Sequence, residues 1–521
     1  MRGYAWSKRH AGFVAIRRLQ NGLANVLVDV KVAGARWFFG AGAPKAELVV
    51  RQFVFERYGG RRLNYALFEY LGGKSPIGLG MPTSWRSHLE RNGWPVNRWV
   101  SAVAWQALVA LRFVHGILQI FRLCTRIAVA GRLAHASGPY VYFEGLTPSN
   151  LPVQHGGCES YDICTFYARW EARSSQIQAI YHDVAGESER MTAGMRVNYR
   201  PPANALARGI GVAIRLAWWG VWAAAYATLQ MLHGKWQLAL MLGEAANAKA
   251  FRLADPDSLA AEYLFHASGN IYRPLWTYDA EKAGAKIAVY FYSTFAQPKI
   301  ASGYESQSFE WGPNTWPRFI VWDRYQENRM RCDLGDSIDL LQAGPIYFSD
   351  SAEAIPPLSP RSIAVFDIQP HRPSMHLGIS TLADCLADHP DFLHRFLNEV
   401  TEVLNECEAV AVLKTKREIG ARGDKKYGRI LGRLAKSEGV CILDSGLSAI
   451  RIAERCRAGI SAPFTSTAIH VQALGLPSAY YDPVGWTQSD DIGAHGIPVL
   501  RGKAELKVWV TKVLTMEPLT E

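Results

Sequence analysis

Residues 458–483 read AGISAPFTSTAIHVQALGLPSAYYDP, and the fold turns on them. The run Ala458–Ala462 reads as a strand, the turn Pro463-Phe464-Thr465-Ser466-Thr467 follows, Ala468–Leu474 reads as a helix and Ser478–Tyr481 as a second strand. Strand, helix and strand in that order predict a parallel pair joined by a crossover helix. The same alternation extends backwards. Ser362–Ile368, Ala409–Leu413 and Val440–Leu443 read as strands, with helices over Asp391–Cys407, Lys425–Glu438 and Leu447–Cys456. Together they predict a Rossmann-like domain over 361–521.

Upstream, Ser349–Pro360 (SDSAEAIPPLSP) holds three prolines and little apolar content, which marks a linker at 351–360. Residues 136–350 repeat the α/β texture. Strand signals fall at Pro139–Phe143, Asp162–Tyr167, Gln178–His182, Lys286–Tyr292, Phe319–Trp322 and Leu340–Phe348, with one long helix over Gln237–Phe265. An apolar helical insert lies near 206–234, and residues 1–135 read as mostly helical. The predicted class is α/β: two Rossmann-like domains facing a cleft, the GT-B-like architecture of nucleotide-sugar glycosyltransferases, behind a helical N-terminal region.

Composition bounds the function. With 521 residues, 49% apolar and 12% aromatic, the chain has ample material for several cores, which excludes a small binding module and intrinsic disorder. Its net charge of +11 is unevenly placed: residues 1–132 hold 20 Lys+Arg against 5 Asp+Glu, so the remainder is slightly acidic. Arginines there punctuate long apolar stretches, such as the uncharged Trp99–Leu111 and the run Phe113–Cys124. That pattern, without zinc-finger or RNA-binding spacing, favours an anionic membrane surface over nucleic acid; a solvated face of an accessory helical domain is the competing reading. Leu216–Gly234 (LAWWGVWAAAYATLQMLHG) is long enough to span hydrocarbon, yet its clustered tryptophans also suit an interfacial helix, and a buried core helix fits too. Eight cysteines without a paired spacing fit reduced thiols, and Met1-Arg2-Gly3-Tyr4 begins no signal peptide. The expected location is cytoplasmic, peripheral on the inner face of the cell membrane.

Chemistry is expected at the carboxyl ends of parallel strands. In the second domain those ends read Asp367-Ile368-Gln369-Pro370, Lys414-Thr415-Lys416-Arg417, Asp444-Ser445-Gly446 and Pro463–Thr467. Lys414, Lys416 and Arg417 form a cationic cluster suited to phosphate. Thr465, Ser466 and Thr467 lead into a helix whose N-terminus offers unpaired N–H groups. Both features also have plainer readings, as solvated lysines and a helix cap.

Ile460–Pro483 resembles the signature of the bacterial polysaccharide-biosynthesis family named for its PFTS motif. Arg273-Pro274-Leu275-Trp276-Thr277-Tyr278, Tyr290–Thr294 (YFYST), Val321-Trp322-Asp323 and Val365–Pro370 (VFDIQP) resemble it as well. The resemblance implies a glycosyltransferase of surface-polysaccharide assembly. More distantly, the C-terminal half is similar to GT-B enzymes that use CMP-activated acidic sugars, in which a Lys/Arg-x-His-Pro element follows the corresponding strand. Here that element is Lys414-Thr415-Lys416-Arg417, with neither His nor Pro.

An inverting transferase needs a carboxylate beside the acceptor hydroxyl. Glu144, ending the strand PYVYF, is the first candidate, with Asp183 and Asp323 as competitors; each also suits a strand-end cap or salt bridge. His155 in the loop VQHGG is a candidate base or phosphate contact, and Arg273 a clamp for an acidic group. The pair Asp490-Asp491 reads as solvated, so no metal and no cofactor are expected beyond a nucleotide-sugar substrate. The acceptor would be a lipid-linked or growing glycan. A polyol-phosphate transferase using a CDP-activated donor, a non-catalytic assembly protein and a nucleotide-sugar epimerase are the alternatives.

Overall fold

Parallel strands bury both faces and so need helices on each side; the chain meets that need twice. The computed structural model describes residues 16, 19–20, 22–26, 35–71, 73, 75–131, 136, 138–155, 158–269, 272–294, 314–372, 390–416, 420–485, 487–488 and 490–517. Helices α1 (Ala35–Phe39), α2 (Ala46–Tyr58), α3 (Arg61–Leu71), α4 (Thr83–Arg91) and α5 (Arg98–Val129) come first. There follow β1 (Tyr140–Glu144), α6 (Ile163–Arg169), β2 (Ala179–His182), β3 (Arg190–Thr192), β4 (Met195–Tyr199), α7 (Ile210–Leu232) and α8 (Gln237–Arg252). The first domain continues with β5 (Glu262–His266), α9 (Trp276–Lys282), β6 (Lys286–Tyr290), β7 (Arg318–Val321), α10 (Arg324–Leu334) and β8 (Asp339–Gln342). Its sheet runs β3-β4-β2-β1-β5-β6-β7-β8, parallel throughout except for the β3–β4 pair.

The second domain comprises β9 (Ser362–Phe366), α11 (Pro390–Glu406), β10 (Val410–Lys414), α12 (Lys425–Leu434), β11 (Val440–Leu443) and α13 (Ala449–Glu454). It ends with β12 (Ala458–Ser461), α14 (Ser466–Ala473), β13 (Ser478–Asp482), β14 (Val499–Arg501) and α15 (Gly502–Thr515). The order β11-β10-β9-β12-β13-β14 is wholly parallel. In each sheet the direction of strand addition reverses beside the central strand, at β1/β5 and at β9/β12, which opens a crevice at the carboxyl ends. This is the two-domain, GT-B-like α/β architecture that the strand–helix rhythm predicts.

Two sequence readings give way. Asp162–Tyr167, expected as a strand, is the start of α6, because Asp162 caps it by accepting from the Cys164 and Thr165 N–H groups (2.8 and 3.0 Å). The long helix expected over 237–265 stops at Arg252, and Glu262–His266 is instead β5 in the middle of the sheet. The two apolar runs after residue 98 are one helix, α5, capped by the Asn97 side chain, which accepts from Val100 N–H at 3.1 Å. The helical N-terminal part does not stand apart. Residues such as Phe38, Val54, Trp85 and Val109 share one apolar core with the first sheet. Gln52 Oε1 fastens it by accepting from Arg273 N–H (3.0 Å) and the Thr315 hydroxyl (2.9 Å).

Helix α8 bridges the first sheet and the outer pair α5 and α7. A Cβ built on Gly116 of α5 would lie 2.8 Å from the Leu242 Cβ and 3.0 Å from the Gly243 backbone nitrogen of α8, so only glycine permits that approach. Gly116→Ala is therefore expected to destabilise the chain by about 1–3 kcal/mol. Thermal unfolding followed by circular dichroism should show a lower midpoint; an unchanged midpoint would mean that the helices do not meet there.

Candidate functional site

Strands β2, β1 and β5 lie side by side, with Phe143 opposite His182 and Glu144 opposite Phe265. The register therefore brings Glu144, Asp183 and His266 to one stretch of the carboxyl edge. Gly145 turns the chain sharply there with φ +77°, and a Cβ on it would sit 3.4 Å from His266 Nε2. The Asp183 carboxylate holds this turn, accepting from Gly145 N–H (3.0 Å) and Leu146 N–H (3.1 Å). Glu144 has no such support: its Oε2 is buried with no hydrogen-bond partner among the described residues. Burial, and then the charge of Asp183, push the Glu144 carboxyl up to about 7. Burial also raises Asp183, against the pull of the Gly145 and Leu146 N–H groups and of His266. His266 itself is lowered by burial, with Asp183 opposing. The Tyr290 hydroxyl at the end of β6 is buried with no partner among the described residues, within reach of the Asp183 charge.

Across the domain boundary lies the carboxyl edge of the second sheet. Asp367, one residue past β9, is buried; the Tyr427 hydroxyl of α12 donates to its Oδ2 at 2.5 Å, while Oδ1 has no partner among the described residues. Burial pushes its carboxyl up to about 6, despite Tyr427, Lys416 and Lys414. Lys414, ending β10, is lowered by burial and by Lys416, with Asp367 and Asp444 opposing. Gln369 Oε1 is another buried acceptor without a described partner, and Ser445 stands in the turn after β11 at the far end of the edge. Arg417 lies outside the described residues.

The hydroxyl run of the motif is spent on architecture. Thr465 donates to the Ala462 carbonyl (2.9 Å), and the Thr467 hydroxyl lies 3.2 Å from those of both Ser461 and Thr465. Ser466 Oγ accepts from Thr294 N–H of the first domain at 3.3 Å. That contact sets the start of α14 against the YFYST segment, four residues beyond the end of β6.

The remaining expected residues are structural. Asp323 caps α10 through Gln326 N–H (2.9 Å) and pairs with His495 Nε2 of the second domain. Its carboxyl, which burial alone would raise, is held below its ordinary value by His495 and the N–H groups of Gln326 and Tyr325. His155 contacts Asp350 Oδ2 (3.1 Å), which also accepts from Tyr161 N–H (2.8 Å) and pairs with Arg451 of α13 (3.2 Å); this hub ties the linker to both domains. Arg273 is 1% exposed, bonded to Thr315 O (2.8 Å), Thr277 Oγ1 (2.9 Å) and Glu281 (2.7 Å), with its guanidinium 4.0 Å from the Tyr278 ring centroid. It is a core tie, not a clamp for substrate. A cavity of about 490 Å³ beside Arg169, Trp170, Gln342 and Tyr347 holds none of the expected site residues. Among the described residues no three His, Cys, Asp or Glu side chains group as metal ligands. Sequence reading missed His266 and Tyr290; only the register of β5 against β1, and of β6 against β5, brings them to the same edge as Glu144.

The family model described as "Polysaccharide biosynthesis PFTS motif protein" matches residues 224–510. No curated protein matches the chain. Among solved structures it is similar to the UDP-GlcNAc 2-epimerase of Methanocaldococcus jannaschii in complex with UDP-GlcNAc and UDP (TM-score 0.36, 7% identity, covering 74% of this chain and 96% of that one). It is also similar to Phytolacca americana UGT2 complexed with UDP-2fluoro-glucose and pterostilbene (0.34, 9%, 72% and 89%) and to the spinosyn forosaminyltransferase SpnP (0.32, 12%, 73% and 91%). These likenesses are distant; the two strand orders carry the fold by themselves.

The half-buried Glu144, with its Oε2 out of contact with solvent, has a consequence for stability. The folded chain holds this proton more tightly than the unfolded chain does, so stability falls as pH rises from the ordinary 4.5 through about 7. Glu144→Gln removes that slope. The variant should be the more stable at about pH 8, by on the order of 1–3 kcal/mol, and should match the wild type at about pH 4. Urea unfolding midpoints at the two pH values check this; equal midpoints at both would place Glu144 in solvent.

Proposed function

The chain belongs to the polysaccharide biosynthesis PFTS motif family, and from that premise we propose that it transfers a sugar from a nucleotide-activated donor to a growing or lipid-linked glycan. The observation that carries the reading is that two carboxyl strand edges, one in each domain, carry titratable groups and the domains touch through the motif. Glu144 stands on one edge and Asp367 and Lys414 on the other, and Thr294 N–H of the first domain donates to Ser466 of the second. Donor binding falls to the second domain, where Lys414 and Lys416 meet the phosphate and the backbone N–H groups at the start of α14 add a partial positive charge. Asp367 Oδ1 and Gln369 Oε1, buried acceptors without described partners, suit hydroxyl or amino groups of the donor.

In the proposed step the acceptor hydroxyl oxygen attacks the anomeric carbon of the donor. Its proton passes to Glu144, and the bond from the anomeric carbon to the phosphate oxygen breaks. The nucleotide leaves with both electrons, its growing negative charge met by Lys414 and Lys416. A carboxyl near 7 is matched to this work, because it is a stronger base than a solvated glutamate yet is largely ionised just above neutrality. Asp183 keeps the Gly145 turn in shape, a positioning role distinct from that of the base.

The test is turnover of a panel of CMP-, CDP-, UDP- and GDP-sugars, with product bonds assigned by NMR. A glycosidic product is expected, and a phosphodiester product would instead make the chain a polyol-phosphate transferase. With the active donor, kcat should rise with pH through about 7, and Glu144→Gln should lower it about a hundredfold and flatten the profile. Lys414→Ala should weaken nucleotide binding about tenfold by calorimetry without altering that profile. If the wild type binds no nucleotide at all, the transferase reading falls.

A further inference from the structure

Helices α5 and α7 lie against each other in antiparallel fashion: Gly209 N–H donates to Ile127 O (3.0 Å), and a Cβ on Gly220 would meet Ile120 at 2.6 Å. Both are long and apolar enough to cross a membrane by length and composition. Their outer faces are bare. Leu111, Leu118 and Phe121 of α5 and Ile214, Trp218 and Trp222 of α7 are each between 48% and 70% exposed. An apolar patch of this kind on a chain in water marks a contact surface.

Charge says what covers it. Neither helix carries an acidic residue. Arginines gather where the C-terminus of α5 meets the N-terminus of α7. Arg122, Arg126 and Arg215 are exposed, and Arg126 acts electrostatically on Arg208, as Arg215 does on Lys249. A cationic, acid-free apolar face with paired tryptophans (Trp218 and Trp222, ring centroids 5.9 Å apart) is complementary to anionic phospholipid.

The packing also fixes the posture. Helix α8 runs along the inner side of α5, from the Trp236–Trp105 ring contact (5.0 Å) to the Asn247–Gln119 hydrogen bond (3.0 Å). It carries the half-buried Glu244 and joins the first domain through the Phe251–Trp276 contact (5.3 Å) and the Arg252–Asp279 pair. Were α5 to cross the bilayer, these polar groups would enter hydrocarbon with it. We infer that α5 and α7 form a monotopic docking face, lying in the plane of the membrane with their outer sides in the acyl boundary and the arginine end on anionic headgroups.

This inference stands on the helix faces and not on the transferase reading, and lipid binding is measured without turnover. The full chain is floated with vesicles of phosphatidylcholine alone or mixed with phosphatidylglycerol. It should rise with the anionic vesicles and less with the neutral ones. Leu118→Ser with Phe121→Ser and Trp218→Ser should lower the bound fraction about tenfold. The changes are at exposed positions, and an unchanged circular dichroism spectrum controls for folding. Arg122→Ala with Arg126→Ala and Arg215→Ala should leave binding that no longer distinguishes the two vesicles or responds to salt. Quenching by lipids brominated near the headgroup should exceed quenching by lipids brominated at the bilayer centre, and the difference should vanish in Trp218→Phe/Trp222→Phe. Deeper quenching would mean a spanning helix and overturn the in-plane posture. A wild-type chain that floats with neither vesicle overturns the docking face. So does a lipid-free dimer, seen by light scattering, that the serine variants convert to monomer; the face would then be a contact between copies.

Discussion

An uncharged imidazole sits where the two domains meet. His470 of α14 is half-buried between Trp322 and Tyr347 of the first domain, with ring centroids 5.1 and 6.0 Å away. Burial lowers it to about 4, so it is neutral in any ordinary buffer. Around it, Phe464, Ala468, Ile469 and Tyr480 belong to the same apolar core as the first sheet. Burying one large side chain contributes roughly 1.5–3 kcal/mol, whereas partly exposed ion pairs contribute about 0–1 kcal/mol. The apolar seam therefore dominates the interface, and Asp323–His495 and Asp350–Arg451 chiefly fix its orientation.

This changes how the PFTS motif reads. Its residues look in sequence like a row of ligands, but in the fold they make a shape. Phe464 adopts φ +61°, a conformation a bulky residue occupies at a cost of about 1–3 kcal/mol. The parallel stack of its ring on Tyr480 (centroids 5.4 Å apart, planes 6° apart) offsets that strain. The threonine hydroxyls turn inward to Ser461 and Ala462, which leaves the backbone N–H groups of the first turn of α14 as what the motif offers to a ligand. The serine reaches across to Thr294. One short motif thus sets both the local turn and the relative placement of the domains.

What was legible in the sequence follows from what burial demands. The strands β9 to β13 of the second domain are short, mostly apolar runs between turn signals and appear within a residue or two of their expected places, because a strand buried on both faces must be largely apolar, whereas the three-residue β14 at the sheet edge was not expected. Elements with less apolar content escaped: β3 and β4 are short and half polar, and β5 was absorbed into the reading of Ala-rich α8 although Asp255-Pro256-Asp257, where the Asp255 side chain accepts from Asp257 N–H, breaks the chain between them. Glu144 was legible as a strand end. His266 was not, since its meaning depends on the pairing of β5 with β1. Asp323 and Arg273 mislead for a related reason. A charged residue next to a strand end or a proline reads the same whether its partner is substrate, a helix N–H or another domain, and only the tertiary fold distinguishes them.

The two carboxylates of the first domain show how such a fold assigns roles without changing residue type. Glu144 and Asp183 stand at the ends of neighbouring strands; burial raises both carboxyls, and the charge of Asp183 raises Glu144 further. Asp183 accepts two backbone N–H bonds, which favour its charged form and commit it to the Gly145 turn. Glu144 has a buried oxygen with no described partner, so the proton the pair retains resides with Glu144. The difference comes from a single glycine. The left-handed turn at Gly145 is what aims its own N–H and that of Leu146 at Asp183 and away from Glu144. A side chain at that position would strain the turn, whose φ is in the left-handed region. The separation of a titrating carboxylate from a structural one is therefore written in backbone geometry, one residue past the end of the central strand.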